Sequence, residues 1–92
     1  MANFREIETK GFQDDLRQDF GGQHKRIIKK LNDYVYPQLH SQPYFGPNIK
    51  KLKNYTPDTW RYRIGDYRFF YEIDDRKHLV IMIAAENRGE AY

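Results

Sequence analysis

The stretch WRYRIGDYRFFY, residues 60–71, decides the fold. Rings and charges alternate with a period of two on both sides of Gly65-Asp66, the pattern of a β-hairpin closed by a two-residue turn. Such a turn sets Ile64 opposite Tyr67, Arg63 opposite Arg68, Tyr62 opposite Phe69, Arg61 opposite Phe70 and Trp60 opposite Tyr71. Opposed residues share a face. One face then carries Trp60, Tyr62, Ile64, Tyr67, Phe69 and Tyr71, enough for half the core of a small domain. The other carries Arg61, Arg63, Arg68 and Phe70. Two arginines directly across from each other repel, at a cost on the order of a few tenths of a kcal/mol. An anion between them removes that cost; the alternative is that the guanidiniums splay into water or pair with Glu72.

Downstream of the hairpin, Asp74-Asp75-Arg76-Lys77 reads as a polar turn before LVIMIAA, residues 79–85. That run is apolar on both faces, so it is expected as an internal strand covered above and below. Pairing Ile73 with His78 sets Val80 and Met82 beside Phe69 and Tyr71, and leaves Leu79, Ile81 and Ile83 beside Phe70 and the arginines. The arginine face is then half apolar and calls for a cover, either the carboxyl tail or a partner protein. Upstream, residues 41–58 hold Pro43, Gly46, Pro47 and Pro57 without a sustained period and read as a long ordered loop. Ile49 and Leu52 are expected to tuck under the sheet, leaving Lys50, Lys51 and Lys53 to project near the hairpin.

Toward the amino terminus, residues 4–9 read as a short strand and Thr9 as a helix cap. Phe12, Leu16 and Phe20 recur every four residues until Gly21-Gly22 stops the pattern. A second helix, from about residue 23 to His40, places Ile27, Ile28, Leu31, Tyr34, Val35 and Leu39 on one side. The short joint folds the two helices into an antiparallel pair. The expected class is α+β: an amino-terminal strand, a helix hairpin, then a three-stranded antiparallel meander with the helices on one sheet face.

At 92 residues the chain is expected to form a single domain, residues 1–92. With no cysteine it has no disulfide framework and no thiolate metal site, which suits a reducing compartment. His24, His40 and His78 lack ligand spacing, so neither a metal nor another cofactor is expected. No apolar run reaches the length of a membrane span, and MANFREIETK carries acids where a signal peptide has its apolar region. A cytoplasmic protein follows. The net charge of +3 is modest, but Lys25, Arg26, Lys29 and Lys30 cluster on one helix, and Lys50, Lys51 and Lys53 precede the three hairpin arginines. Interleaved with eight tyrosines, these clusters suit a polyanion whose bases stack on rings, or serve solubility alone. Lys50, Lys51, Lys53 and Phe70 are the candidate RNA contacts.

The order of elements, with IKKLKNYTPDTWRYRIGDYRFFYEID and the terminal NRGEAY, resembles the RelE/ParE toxin superfamily over nearly the whole chain. The motifs that carry the resemblance are Leu52-Lys53, Tyr62-Arg63, the turn Gly65-Asp66-Tyr67-Arg68, and Arg88 with Glu90-Ala91-Tyr92. The resemblance implies the toxin half of a type II toxin-antitoxin pair, neutralised by an antitoxin that wraps it. It further implies a ribosome-dependent endoribonuclease that cuts mRNA without metal, by attack of a ribose 2′-hydroxyl on the adjacent phosphate. Arg61, Arg63 and Arg68 then hold the phosphate, Arg88 serves the leaving oxygen and Tyr92 orients or stacks on a base. Many relatives have a histidine or basic run where this chain has Glu86-Asn87-Arg88-Gly89. Glu86 is therefore either the proton acceptor or an ion-pair partner, and the chain stops at Tyr92, where some relatives add a helix. The rival readings are a ParE-like inhibitor of DNA gyrase that acts by protein binding, and a nontoxic relative that only binds an antitoxin. A helix-turn-helix reader is disfavoured, because Gly21-Gly22 is too short for that turn.

Overall fold

The computed structural model describes residues 3–19 and 24–87; Phe20, the Gly21-Gly22 joint and residues 88–92, with Arg88 and Tyr92, lie outside the described residues. The chain runs β1 (Arg5–Glu8), α1 (Lys10–Asp19), α2 (His24–Lys30), a π turn (Leu31–Val35), α3 (Tyr36–Ser41), β2 (Ile49–Lys51), β3 (Trp60–Ile64), β4 (Tyr67–Asp74) and β5 (Leu79–Asn87). The strands make one mixed sheet in the order β1-β5-β4-β3-β2, in which β1 and β5 are parallel and the other pairs antiparallel.

The hairpin forms in the expected register, from Trp60 with Tyr71 to Ile64 with Tyr67. Gly65 has φ +58°, at the first central position, where a type II′ turn takes glycine. Trp60, Tyr62, Tyr67, Phe69 and Tyr71 are buried and meet Phe12, Leu16, Ile27, Leu31, Val35 and Leu39 in one core. Each large side chain so buried contributes about 1.5–3 kcal/mol relative to exposure. The Tyr71 hydroxyl donates to the Pro43 carbonyl at 2.7 Å, so the core ring is anchored to the loop below it. Burial raises the pKa of its hydroxyl well above the ordinary tyrosine value, with Tyr62 adding in the same sense.

Thr9 accepts from the Phe12 N–H at 3.2 Å, capping α1, and donates to the Met82 carbonyl at 2.9 Å. One side chain thereby fixes a helix start on the internal strand. From there α1 follows β5 toward Ala85, whose N–H donates to Asp15 at 3.0 Å. The second helical rod returns along β1: Tyr36 donates to Glu8, and farther on the Phe4 N–H donates to the His40 carbonyl. The two helices are antiparallel for that reason.

Three expectations are corrected. The loop of residues 41–58 contains a strand, β2, whose three residues pair with β3. The β4–β5 pairing sets Ile73 opposite Val80 rather than His78, because His78 (φ 54°) is spent in the turn. A shift of two leaves Val80 and Met82 on the core face. Tyr34 is 59% exposed rather than part of the helix stripe. The buried residues Ile27, Leu31, Val35 and Leu39 recur strictly every four, a step that overshoots one α-turn by about 40°. The π turn, with the Tyr36 N–H bonded to the Leu31 carbonyl, unwinds the rod and keeps that stripe on the core. It also makes room for Pro37, which cannot donate and would clash one turn back.

Candidate nucleic-acid interface

The sheet face away from the helices carries four of the predicted basic residues, Lys50, Arg61, Arg63 and Arg68, and strand pairing arranges them in two rows. Lys50 lies opposite Arg61, Arg61 opposite Phe70, and Phe70 opposite Ala84. In the adjoining row Arg63 lies opposite Arg68, and Arg68 opposite Glu86. Four cations thus occupy neighbouring positions around one aromatic ring.

Glu86 reaches this face through a β-bulge. Phe70 pairs with Ala84 and Tyr71 with Met82, leaving Ile83 as an extra residue. Without the insertion, alternation from the buried Met82 would turn Ala85 outward and Glu86 into the core. With it, Ala85 is buried against Phe69 and Glu86 faces Arg68. The bulge is held from the other side. β1 ends opposite Met82, so β5 runs on without a neighbour there, and Asp15 from α1 accepts the Ala85 N–H.

The electrostatics follow from this placement. Arg68 Nη1 lies 4.0 Å from Glu86 Oε1, with the arginine side chain 20% exposed and the carboxylate 56%. This is a loose, partly solvated pair, worth little to stability. Arg63 donates through Nε to the Gly65 carbonyl at 3.4 Å, which turns its guanidinium toward the hairpin tip. Arg61 Nε is buried without a hydrogen-bond partner among the described residues. A buried unpaired donor costs about 1–3 kcal/mol, a cost an anion on this face would relieve.

The other predicted positions divide. Lys51 alternates to the opposite face, where its ammonium lies 3.3 Å from Asp58 and 5.6 Å from the centre of the Trp60 ring. Lys53 is exposed in the turn after β2. Tyr55, absent from the sequence-based site, lines a pocket of about 250 Å³ with Thr59, Phe70, Ile83, Ala84 and Glu86. Its only sequence signal is Asn54, which adopts φ 66°, a left-handed conformation that asparagine tolerates. Among the described residues no cluster of His, Asp or Glu could hold a metal, and no helix is long and apolar enough to cross a membrane.

The family model for the ParE toxin of the type II toxin-antitoxin system parDE matches residues 8–92. The chain belongs to this family, within the RelE/ParE superfamily. Solved RelE/ParE toxins share its fold. The RelBE2 toxin-antitoxin complex from Mycobacterium tuberculosis matches with a TM-score of 0.76 and 23% identity, covering 94% of this chain and 99% of that one. The archaeal RelE-RelB complex from Pyrococcus horikoshii matches at 0.64 and 21%, covering 97% and 98%. A free-state mutant of the E. coli toxin RelE matches at 0.64 and 22%, covering 99% and 87%. No curated protein sequence matches the RelE/ParE chain significantly.

Proposed function

We propose that this RelE/ParE toxin is a ribosome-dependent mRNA endoribonuclease. The observation that carries the reading is the unpaired, buried Nε of Arg61 between Lys50 and Phe70, one row from the Arg63–Arg68 pair. Positive charge of this density on one sheet face suits a phosphodiester better than a protein surface. In the proposed reaction the ribose 2′-oxygen attacks the adjacent phosphorus and the bond to the 5′-oxygen of the next nucleotide breaks. The products are a 2′,3′-cyclic phosphate and a 5′-hydroxyl. Arg61, Arg63 and Arg68 hold the phosphate oxygens, where charge builds in the transition state. Glu86, kept near Arg68, accepts the 2′ proton, and Arg88 supplies the proton to the leaving oxygen.

The partner proposed for the apolar part of this face is an antitoxin. The Mycobacterium and Pyrococcus neighbours are described as toxin-antitoxin complexes, and Ile7, 44% exposed, extends the apolar edge beside Ile81. A second reading, gyrase inhibition by protein contact, is favoured by the ParE description of the matching family. The deciding experiment presents purified toxin with mRNA, with and without ribosomes, and in parallel with DNA gyrase. Cleavage only on ribosomes, lost by at least about 100-fold in Arg68→Ala while thermal unfolding is little changed, is the expected result. Blocked supercoiling with intact mRNA would select the second reading instead.

A further inference from the structure

Beside the cationic rows the sheet has a pocket that the phosphate chemistry leaves unused. It is about 250 Å³, lined by Tyr55, Thr59, Phe70, Ile83, Ala84 and Glu86. Its construction is specific to the loop and the bulge. Asn54, in the left-handed region, directs the chain so that Tyr55 returns over the sheet. The bulge sets Ile83 and Ala84, two successive small or apolar residues, on the same outer side opposite Phe70. Thr59, which could have made the floor polar, has its hydroxyl donated to the Pro57 carbonyl at 3.1 Å. The walls are therefore aromatic and apolar, and among the described residues the only charged wall residue is Glu86.

Tyr55 is 54% exposed, an aromatic ring held at the mouth of a pocket rather than in the core. Phe70, the other ring, lies directly opposite Arg61, whose Nε lacks a partner. A ligand filling the pocket while satisfying that donor must be flat and apolar at one end and anionic a few ångströms away. A nucleotide has this shape, and the space exceeds what one base requires.

We propose that Tyr55 and Phe70 form a base-stacking slot that receives the nucleobase next to the phosphate held by Arg61. Stacking of this kind tolerates sequence but favours the larger ring system, so purines fill the slot better than pyrimidines. Tyr55 is thereby a specificity-determining residue. The inference rests on the nucleic-acid reading of this face, yet it is testable without ribosomes.

Free toxin is titrated with adenosine monophosphate, uridine monophosphate and ribose 5-phosphate, following the amide resonances of Phe70, Ile83 and Ala84. Adenosine monophosphate is expected to bind more tightly than ribose 5-phosphate and to shift all three amides, with the uridine nucleotide between them. Tyr55→Leu should weaken the adenosine nucleotide about 5- to 100-fold, the span of a lost stack, and leave ribose 5-phosphate unchanged. Tyr55→Phe should restore it. Equal binding of the nucleotides and ribose 5-phosphate, or a Tyr55→Leu variant that binds adenosine monophosphate as wild type does, would overturn the slot. Wild type that discriminates bases but fails to cut ribosome-bound mRNA would count against the nuclease reading and leave the slot standing. If wild type cuts, its cleavage positions should favour purines and Tyr55→Leu should lose that bias.

Discussion

Thr9 shows how much one small side chain controls, because its hydroxyl caps α1 and binds the carbonyl of Met82 in the sheet interior. Thr9→Ala is expected to cost about 1–2 kcal/mol in chemical denaturation, and Thr9→Ser to recover most of it. Glu6 acts in the opposite sense. Its Oε2 is buried without a hydrogen-bond partner among the described residues, 3.9 Å from His40 Nδ1, and burial raises its carboxyl above the ordinary 4.5 while His40 pulls it down. A raised folded value means the folded state holds the proton more tightly. Stability contributed by the protonated acid is present below about pH 4.5 and falls as pH rises through the raised value. Glu6→Gln should therefore be the more stable protein at pH 7, by on the order of 1 kcal/mol or less, with the difference closing in acid. Thermal unfolding of both proteins across that range checks the sign. Tyr44, donating to Asp75 at 2.6 Å, is pushed up to about 12 by burial and by that acid, and remains a neutral donor throughout.

Among the elements, β5 carries the most consequence, since one inserted residue decides what faces the arginines. Asp15 holds the insertion by accepting the Ala85 N–H. Asp15→Ala leaves that amide without its acceptor and is expected to cost about 1–3 kcal/mol. It should also slow RNA cleavage without touching the basic rows, because Glu86 and Arg68 lose their register. The check is parallel: unfolding free energy, and cleavage rate at a temperature where the variant remains folded. The π turn is a second element whose cause is legible afterwards. Pro37 and a strict four-residue stripe both disfavour a regular helix there. The stripe is legible in the sequence, whereas the exposure of Tyr34 is not, because a regular α-helix through Pro37 would turn that residue toward the core.

At the scale of the molecule, the net charge of +3 says little, whereas its placement says much. Lys50, Arg61, Arg63 and Arg68 lie toward the hairpin end of the outer sheet face, while farther along Asp58, Glu72, Asp74 and Asp75, with Arg76, line a cleft of about 600 Å³ beside Trp60 and Tyr44. On the proposed nuclease reading, this distribution would orient the toxin toward a polyanion before contact. Association with ribosomes should weaken steeply as salt is raised, and Arg63→Ala should lower the salt slope by about one ion, as read from binding at several salt concentrations. The residue sequence by itself determined the hairpin register, its core face, the Ile27, Leu31, Val35 and Leu39 stripe and the Thr9 cap. Each depends on a local period or on a turn whose length fixes the pairing of its neighbours. Tertiary structure alone decided that residues 49–51 become an edge strand, that Lys51 faces Asp58 rather than RNA, and that β1 joins β5 in parallel. It also decided that Glu86 meets Arg68 and that Tyr55 and Phe70 line one pocket. These follow from hydrogen bonds between segments far apart in the chain. A single bulge residue, held by an acid on a helix some seventy positions away, reverses which face Ala85 and Glu86 occupy.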